Sequence, residues 1–222
     1  MSIDDQKRRA AQAALRRIQP GIVLGVGTGS TVNHFIEALG HSGERPDAVI
    51  ASSEDTARRL HAVGLPLTDL NHVHGIDVYV DGADEANAHL QLIKGGGGAL
   101  TREKICAVAA RQFLCIIDAG KRVEVLGAFR VPVEVLPMAR SLVARALVRL
   151  GGEPELRIGS TTDNGNVILD VDFGRILDPL GLEQAVKSLT GVVEVGLFAT
   201  RRADRLIIGT ATGVEEIAPE NG

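Results

Sequence analysis

Three carboxylates and a lysine lie within one short stretch of this sequence and could together transfer protons. Asp81 and Asp84 belong to the segment DGADE, Lys94 stands directly before four consecutive glycines, and Glu103 follows that run. Neighbouring carboxylates can divide acid and base roles, because each charge alters the proton affinity of the other. A Mg²⁺ or Ca²⁺ site is the competing functional interpretation, although the alternating oxygens of a calcium loop are missing. An Asp-rich turn is the structural alternative.

The glycine run after Lys94 predicts a backbone forced close to a ligand. Four successive glycines lose much conformational entropy when they are ordered. A flexible linker is the alternative, but residues 90–93 and 99–100 on either side are apolar, and linkers seldom have such flanks. Lys94 would then supply a fixed cation beside the bound group.

Glu103 falls in the first turn of a helix that is predicted to begin near Thr101. Its structural role there is to stabilise the helix dipole, which favours the ionised carboxylate. A strong general base near neutral pH needs a higher proton affinity than this position gives. We therefore expect partial burial of Glu103 to supply the difference.

Residues 27–31, GTGST, lie where a predicted strand ends and a helix begins. Free N–H groups at such a helix start favour an anion, and the Ser and Thr hydroxyls add donors. The segment is neither a Walker loop nor a complete G-x-G-x-x-G. A tight turn with Ser30 or Thr31 as helix cap is the structural alternative. Ser52-Ser53 after the next strand is the weaker signal, because capping explains most such pairs.

Strands that alternate with helices place these segments, and this order predicts a doubly wound, mostly parallel α/β sheet. Strands are predicted at 22–26, 48–51, 78–80 and 113–117, with helices over 4–18, through Leu39, through Ala62 and from about Arg102. Ligands bind beyond the carboxyl ends of parallel strands. Asp81 and Lys121 fall at such ends, although Lys121, like Lys7, has a solvated surface lysine as its structural alternative.

The character of the chain changes after about Leu126. A strand at 131–135 and a helix at 139–150 precede Asn164-Gly165, which lies between two alternating runs and indicates a hairpin. A helix over 179–189 and strands near 192–195 and 206–209 complete a smaller α+β unit. We expect a first domain of residues 1–127 plus about 200–222 and a second domain of residues 128–199. The last strand could join the sheet of either domain.

Composition limits the classes of partner. Apolar residues make up 45% and charged residues 23%, which is a globular profile. Aromatic residues make up only 3%, which argues against stacking of nucleic-acid bases. The net charge of −4 gives no general attraction for polyanions, so any phosphate must be captured by a few lysines or backbone N–H groups.

The cysteines and the N-terminal segment bear on location. A disulfide between Cys106 and Cys115 is one interpretation, but two buried thiols in a reducing cytosol fit better. No Cys/His spacing resembles a zinc site. The first residues form a charged amphipathic helix without an apolar signal-peptide core, and no apolar run is long enough to span a bilayer. We expect a cytoplasmic protein without membrane partners.

Taken together, these segments resemble the ribose-5-phosphate isomerase A family over nearly the whole chain. The matching motifs, in order, are GVGTGST at 25–31, DGADE at 81–85, LIKGGGGALTREKI at 92–105, DAGK at 118–121, PVEVLPMA at 132–139, LR-x-G at 156–159, TDNGN at 162–166 and GVVEVGLF at 191–198. The glycine run between the Asp pair and REK is the most specific of them. Gly120 departs from the family, which often has Ser there, and this puts a minor polar contact in doubt.

The resemblance implies interconversion of D-ribose 5-phosphate and D-ribulose 5-phosphate in the pentose phosphate pathway, without metal or organic cofactor. It implies Glu103 as the general base that moves a proton through an enediolate. Asp81 would assist ring opening, Asp84 would hold Asp81 and the sugar, and Lys94 would stabilise the oxyanion. The implied substrate-binding residues are Lys7, Thr28, Gly29, Ser30, Thr31, Gly82, Ala83, Gly95, Gly96, Gly97 and Lys121.

The resemblance also implies a Rossmann-like domain with a smaller α+β lid domain, in a homodimer or a dimer of dimers. Two other enzyme reactions, amino-sugar phosphate deamination and CoA transfer, are disfavoured because the KGGGG…REK combination matches the pentose isomerase. A catalytically silent sugar-phosphate sensor is the alternative from another class. Such a sensor would be expected to lose Asp81, Lys94 or Glu103, and all three are present.

Overall fold

The computed structural model describes residues 2–43 and 45–219. Its helices are α1 (Ile3–Leu15), α2 (Ser30–His41), α3 (Glu54–Ala62), α4 (Leu100–Ala109), α5 (Arg140–Arg149) and α6 (Pro179–Lys187). Its strands are β1 (Val23–Val26), β2 (Ala48–Ala51), β3 (Ile76–Asp81), β4 (Glu85–Ala86), β5 (Leu92–Ile93), β6 (Ala110–Asp118), β7 (Val131–Val135), β8 (Glu153–Leu156), β9 (Val167–Asp172), β10 (Val192–Val195), β11 (Leu197–Phe198), β12 (Arg205–Gly209) and β13 (Val214–Ile217).

The chain forms two compact units. The first consists of the residues up to 83, 102–122 and those from 203 onward, and the second of Asp84–Thr101 and Val123–Arg202. The expected domains divided the chain at 127/128 and again near 200, and residues 1, 44 and 220–222 of those domains lie outside the described residues. That division stays a prediction.

The first unit contains a six-stranded sheet in the order β13-β12-β6-β3-β1-β2. Every neighbouring pair is parallel except β12 with β13. This confirms the predicted α/β class with a central, mostly parallel sheet. It also settles the place of the last predicted strand, β12, which pairs with β6 in the large sheet. The added strand β13 was not predicted.

The parallel order brings three loops to one edge of this sheet. β6, β3 and β1 are direct neighbours: Val26 lies opposite Val80, Asp81 lies opposite Cys115, and β6 continues beyond Cys115 to end at Asp118. Helix α1 packs close to this sheet through small, buried alanines at 10, 11 and 14. The approach is tight, since a Cβ at Gly209 would lie 1.8 Å from the carbonyl oxygen of Gln6. Helix α1 is therefore tightly packed against β12 of this sheet.

The second unit is built on a four-stranded antiparallel sheet in the order β10-β7-β9-β8. The hairpin predicted at Asn164-Gly165 is confirmed, because β8 and β9 pair antiparallel with Leu156 opposite Leu169. Gly165 has a positive φ of 81°, which the turn requires and glycine adopts without strain. Helices α5 and α6 contribute Val143, Leu147 and Val186 to the apolar core of this unit.

Residues 84–101 belong to the second unit, whereas the sequence analysis placed them in the first domain. The cause is a small three-stranded sheet in the order β11-β5-β4. Its strands are two residues long and pair antiparallel, Leu197 with Ile93 and Ile93 with Glu85. These pairings tie the segment to β11 of the second unit.

Two expectations about composition can also be compared with the structure. Cys106 and Cys115 are both free and buried, as the preferred interpretation of the sequence held. In the described part of the chain, no helix is both long enough and apolar enough to cross a membrane.

Candidate active site

Asp81 is the last residue of β3 and is fully buried. Its Oδ1 accepts hydrogen bonds from the N–H of Thr28 at 3.0 Å and of Gly82 at 2.7 Å. Its Oδ2 accepts from the Tyr79 hydroxyl at 2.5 Å. A buried carboxylate is costly unless it is well bonded, and these three donors compensate that cost. The carboxylate is thus fixed at the carboxyl end of the strand.

Gly27 gives Asp81 the room it occupies. A Cβ built on Gly27 would lie 1.9 Å from both Cγ and Oδ1 of Asp81, far inside van der Waals contact. The N–H of Gly27 also bonds the carbonyl oxygen of Val80 at 2.8 Å, so the loop after β1 runs against the end of β3. The first glycine of GTGST is therefore required by the carboxylate beside it.

Replacing Gly27 with alanine should displace Asp81, lower turnover sharply and destabilise the fold by about 1–3 kcal/mol, as overpacking does. The matched control is Gly43→Ala, because nothing lies within 4 Å of a Cβ at Gly43. Urea unfolding and steady-state turnover of both variants test this expectation. A Gly27→Ala enzyme as active and as stable as Gly43→Ala would contradict it.

Glu103 lies in the first turn of α4 and is only 4% exposed. The burial expected of Glu103 is therefore present. The charges of Asp81 and Glu103 both act on Tyr79 and on Cys106, which places the two carboxylates in one electrostatic neighbourhood. The structure thus brings together the two acids on which the sequence analysis centred its hypothesis.

Tyr79 and Cys106 stay protonated beside these carboxylates. Burial, followed by the charge of Asp81, raises the pKa of Tyr79 well above 10, so its hydroxyl remains a donor. Burial raises the pKa of the Cys106 thiol to about 12, and the charges of Asp81 and Glu103 add to the rise. Because the thiolate is the reactive form, Cys106 does not act as a nucleophile at neutral pH.

Thr28 lies in a cluster of hydroxyl groups that the sequence analysis largely attributed to helix capping. Its Oγ1 is 3.1 Å from the Ser52 hydroxyl, 2.9 Å from that of Ser53 and 3.1 Å from that of Thr56. Ser53 does cap α3, by accepting from the N–H of Thr56 at 3.1 Å. The same residues therefore cap a helix and orient Thr28.

Ser30 is the first residue of α2, and its side chain contacts Lys7. The Lys7 ammonium donates to the Ser30 hydroxyl at 2.9 Å, and both residues are accessible to solvent. Gly29, the N-cap, has a φ of 122° that suits glycine, whereas Thr31 is buried. A helix N-terminus next to a lysine is a suitable environment for a phosphate.

Lys121 lies just beyond β6, in the short 3₁₀ turn Ala119–Lys121. The side chain of Asp118 accepts from the N–H of Gly120 at 3.0 Å and shapes this turn. The N–H of Ala119 donates to the side chain of Gln6, the neighbour of Lys7 in α1. Both candidate lysines thus belong to elements that meet at the carboxyl edge of the sheet.

The glycine loop (residues 94–98) and Asp84 belong to the second unit and are described within it. Asp84 accepts from the N–H of Gly96 at 2.8 Å. A Cβ on Gly96 would lie 2.7 Å from Asp84 Oδ1, which is why glycine is needed there. Gly97, like Gly96, is exposed. The loop is ordered by specific contacts and is not a flexible linker.

Lys94 is 2% exposed and begins the glycine loop. Its N–H bonds the carbonyl oxygen of Gly196 at 2.8 Å, and its ammonium lies 5.6 Å from the centroid of the Phe198 ring. An aromatic face at this distance stabilises a cation. The remaining predicted positions, Gly82 and Ala83, are partly exposed and connect Asp81 to Asp84 along the chain.

A metal site was the competing functional interpretation of the DGADE carboxylates. Within residues 2–43 and 45–219, no group of three or more His, Cys, Asp or Glu side chains could hold a metal ion. In the DGADE segment, Glu85 accepts from the N–H groups of Gly127 and Phe129 and so has a structural role.

The chain is similar in sequence and in structure to proteins of one known family. Residues 48–213 match the family described as ribose 5-phosphate isomerase A (phosphoriboisomerase A). The chain belongs to this family. The ribose 5-phosphate isomerase A of Neisseria gonorrhoeae is 47% identical, with 99% of each chain covered and a TM-score of 0.97.

Other solved isomerases are similar over the same length. The enzyme of Methanocaldococcus jannaschii is 38% identical, covers 98% of this chain and 100% of its own, and has a TM-score of 0.92. A D-ribose-5-phosphate isomerase in complex with phospho-erythronic acid is also 38% identical, with the same coverage and a TM-score of 0.94. The chain is therefore an isomerase with the fold of the ribose 5-phosphate isomerase A family.

One buried acid of this isomerase was given no role by the sequence analysis. Glu134 on β7 is fully buried and accepts from the Thr162 hydroxyl at 2.8 Å and the Asn166 amide at 2.8 Å. It also accepts from Asn164 and from the Thr101 hydroxyl in α4. The motifs PVEVLPMA, TDNGN and LTREK are thus joined through one carboxylate, a convergence that spacing along the chain does not reveal.

Proposed function

We propose that this protein interconverts D-ribose 5-phosphate and D-ribulose 5-phosphate by proton transfer through an enediolate. Isomerisation of ribose 5-phosphate follows from the family, and the proton-transfer route is the finer inference. It rests on two buried carboxylates, Asp81 and Glu103, whose charges act on the same neighbours. Carboxylates in such an environment can exchange protons with a bound sugar.

Glu103 is the proposed general base. It removes the proton from C2 of the open-chain aldose, and the electron pair moves to form the enediolate between C1 and C2. The same proton equivalent is then delivered to C1, so the reaction is redox-neutral overall and needs no external oxidant. The side chain of Glu103 is only 4% exposed, so few water molecules can hydrate its carboxylate.

Asp81 is proposed to act on the sugar oxygens, in ring opening and in moving the hydroxyl proton between O1 and O2. Tyr79 orients it, because a protonated phenol at 2.5 Å from Oδ2 leaves the carboxylate few alternative positions. Gly82 and Ala83 extend from Asp81 and would contact the substrate through their backbone. Asp84 would hold the sugar and keep the glycine loop in place through the N–H of Gly96.

Lys94 is proposed to stabilise the negative charge that develops on the sugar oxygen. A buried ammonium placed in advance acts strongly on a forming oxyanion, because no solvent has to reorganise around it. Gly95, Gly96 and Gly97 would bring backbone groups close to the sugar. Gly95 has a φ of 105°, which glycine supplies at this position.

The phosphate is proposed to bind at the start of α2. Thr28, Gly29, Ser30 and Thr31 supply hydroxyl and backbone donors, while Lys7 and Lys121 supply positive charge. The bond between Lys7 and Ser30 already places one cation at this helix start. The related isomerase solved with phospho-erythronic acid supports a phosphorylated sugar as the ligand of this chain.

The biological setting proposed here is the non-oxidative branch of the pentose phosphate pathway in the cytoplasm, with a homodimer or a dimer of dimers as the assembly. The residues assigned above carry the chemistry without an organic cofactor or metal. Two domains, the smaller acting as a lid, stay part of the proposal.

Solvent deuterium tests the enediolate route. After many turnovers on ribose 5-phosphate in D₂O, we expect deuterium at C1 of the ribulose 5-phosphate and at C2 of the recovered ribose 5-phosphate. The reason is that a proton carried by a carboxylate exchanges with solvent, whereas a hydride shift does not. Proton NMR of both sugars measures the label.

A sample without enzyme, held under the same conditions, provides the background exchange. Isomerisation that leaves both carbons unlabelled would contradict the enediolate. Binding without isomerisation or labelling would favour the sugar-phosphate sensor instead.

A further inference from the structure

We propose that Arg157 is a positioning residue that sets the conformation of the glycine loop. Its Nη1 donates to the carbonyl oxygen of Gly95 at 3.1 Å and to that of Gly96 at 3.2 Å. One guanidinium nitrogen therefore holds two successive peptide groups of the loop that carries Lys94. The inference deepens the function proposed above, because the loop is there assigned to the substrate.

Asp170 fixes the guanidinium in turn. It accepts from Arg157 Nε at 2.8 Å and from Nη2 at 2.5 Å, which is a bidentate pair. The main chain of Arg157 bonds Ile168 at 2.9 Å as the β8–β9 pairing continues past Leu156. The fork geometry of arginine allows one edge to bind a carboxylate while another nitrogen binds the carbonyls. The antiparallel sheet thus determines where Nη1 points.

The contacts of the Gly95–Gly96 peptide show what this arrangement achieves. The carbonyl oxygen of Gly95 faces Arg157, and the N–H of Gly96 donates to Asp84 at 2.8 Å. In a trans peptide these two groups point in opposite directions. The peptide plane is therefore held between a cation on one side and an anion on the other. These two charged side chains fix its orientation together with the bond from the N–H of Gly98 to the same carbonyl oxygen.

The next peptide is oriented in the same way. Because the carbonyl oxygen of Gly96 also accepts from Arg157, trans geometry turns the N–H of Gly97 away from the guanidinium. The N–H groups of Gly96 and Gly97 are thus both directed away from Arg157. Successive N–H groups turned to one side form a concave anion-binding arrangement, and the carboxylate of Asp84 accepts from the first of these two N–H groups. Arg157 would create this arrangement from behind the loop.

The glycine loop needs hydrogen bonds from outside, because glycine residues have no side chains that could hold the loop in one conformation. Ordering a backbone residue costs about 1–2 kcal/mol, and glycine pays at the upper end. A side chain that would stiffen the loop is excluded at Gly95, because a Cβ there would lie 2.9 Å from the Cβ of Leu100. The bond from Gly98 N–H to the carbonyl oxygen of Gly95 gives the loop one internal contact. External hydrogen bonds must supply the remaining order.

A purely stabilising salt bridge is the competing explanation for Arg157. The side chains of Arg157 and Asp170 are 19% and 23% exposed. Partly exposed pairs contribute little to the free energy of unfolding. A groove lined by Arg157 also contains Arg130, whose guanidinium pairs with Glu155 at 2.5 Å. Arg130 therefore provides a matched control for loss of an ion pair in the same groove.

The test compares Arg157→Ala, Arg157→Lys and Arg130→Ala in the full chain. Hydrogen–deuterium exchange of a peptide that covers the glycine loop should become about tenfold faster or more in both Arg157 variants. It should stay unchanged in Arg130→Ala. The lysine variant keeps the charge and the stem but loses the fork, so it separates orientation from charge. This readout needs no substrate and therefore does not depend on the proposed function.

Activity gives the second readout. The kcat/KM for ribose 5-phosphate should fall about 10–100-fold in both Arg157 variants, as expected when reacting groups are misplaced. Methylguanidine should restore part of the activity of Arg157→Ala and leave Arg130→Ala unaffected. Thermal unfolding temperatures should stay close to that of the wild type in all three variants.

Several results would overturn the inference. Wild-type loop exchange in the folded Arg157→Lys and Arg157→Ala variants would do so, as would a general loss of folding in both. A wild-type enzyme that failed to isomerise ribose 5-phosphate would instead overturn the proposed function, and the exchange experiment would still decide on Arg157.

Discussion

Replacing Glu103 with glutamine should lower turnover about 10²–10⁴-fold, the range that general base catalysis contributes. Glutamine keeps the shape of the side chain but cannot take up a proton from carbon near neutral pH. The residue lies in the first turn of α4 and is buried, so the change removes the carboxylate without creating a cavity. A coupled assay with ribose 5-phosphate measures turnover, and circular dichroism confirms the fold.

The control for this variant is an acid in an equivalent helical position. Asp55 lies in the first turn of α3 and pairs with Arg58 and Arg59 on the surface. Asp55→Asn removes a carboxylate from a helix start just as Glu103→Gln does, and it should leave turnover unchanged. Near-normal turnover in Glu103→Gln would remove Glu103 from the role of base, whatever its effect on stability.

The placement of the carboxylates was readable from the sequence because strand ends carry a strong local signal. An apolar run that stops at a polar residue marks the end of a buried parallel strand. Asp81 is the polar residue that ends β3, and Asp118 is the one that ends β6. Once the strands are parallel, their carboxyl ends must meet at one edge. The neighbours β6, β3 and β1 then follow from the sheet order, which the sequence did not provide.

The hairpin of the second unit was equally local. Asn164-Gly165 between two alternating runs admits few conformations, and β8 and β9 pair around it as expected. The two-residue strands β4, β5 and β11 show the opposite case. A run of two residues has no periodicity, and β11 comes from the far end of the chain. The attachment of residues 84–101 was therefore beyond a local prediction.

Some polar contacts around the site join residues close in sequence and were predictable, whereas others join distant residues and were not. Tyr79 could have been found, because residues two apart in a strand share a face, and Tyr79 is two residues before Asp81. The bonds from Arg157 to the glycine loop and from the Thr101 hydroxyl to Glu134 join residues far apart in sequence. No spacing rule along one chain reports such pairs, so only the three-dimensional structure gives them a role.

Replacing Asp81 with asparagine should lower turnover about 10²–10³-fold while the fold persists. The oxygen of asparagine can still accept from the N–H groups of Thr28 and Gly82, which now bond Oδ1. Its amide nitrogen would face the Tyr79 hydroxyl, which can rotate and accept in place of donating. These three hydrogen bonds can all be kept, whereas the variant loses the negative charge and the ability to take up a proton.

The same strand offers the control, because Asp77 near the other end of β3 also accepts from a backbone N–H, that of Val23 at 2.9 Å. Asp77→Asn makes the same chemical change on the same strand, away from the carboxyl edge, and should leave turnover within about twofold of the wild type. Equal losses in Asp77→Asn and Asp81→Asn would mean that the strand and not the carboxylate is responsible. A large loss confined to Asp81→Asn would show that the carboxyl end of β3 supplies chemistry as well as structure.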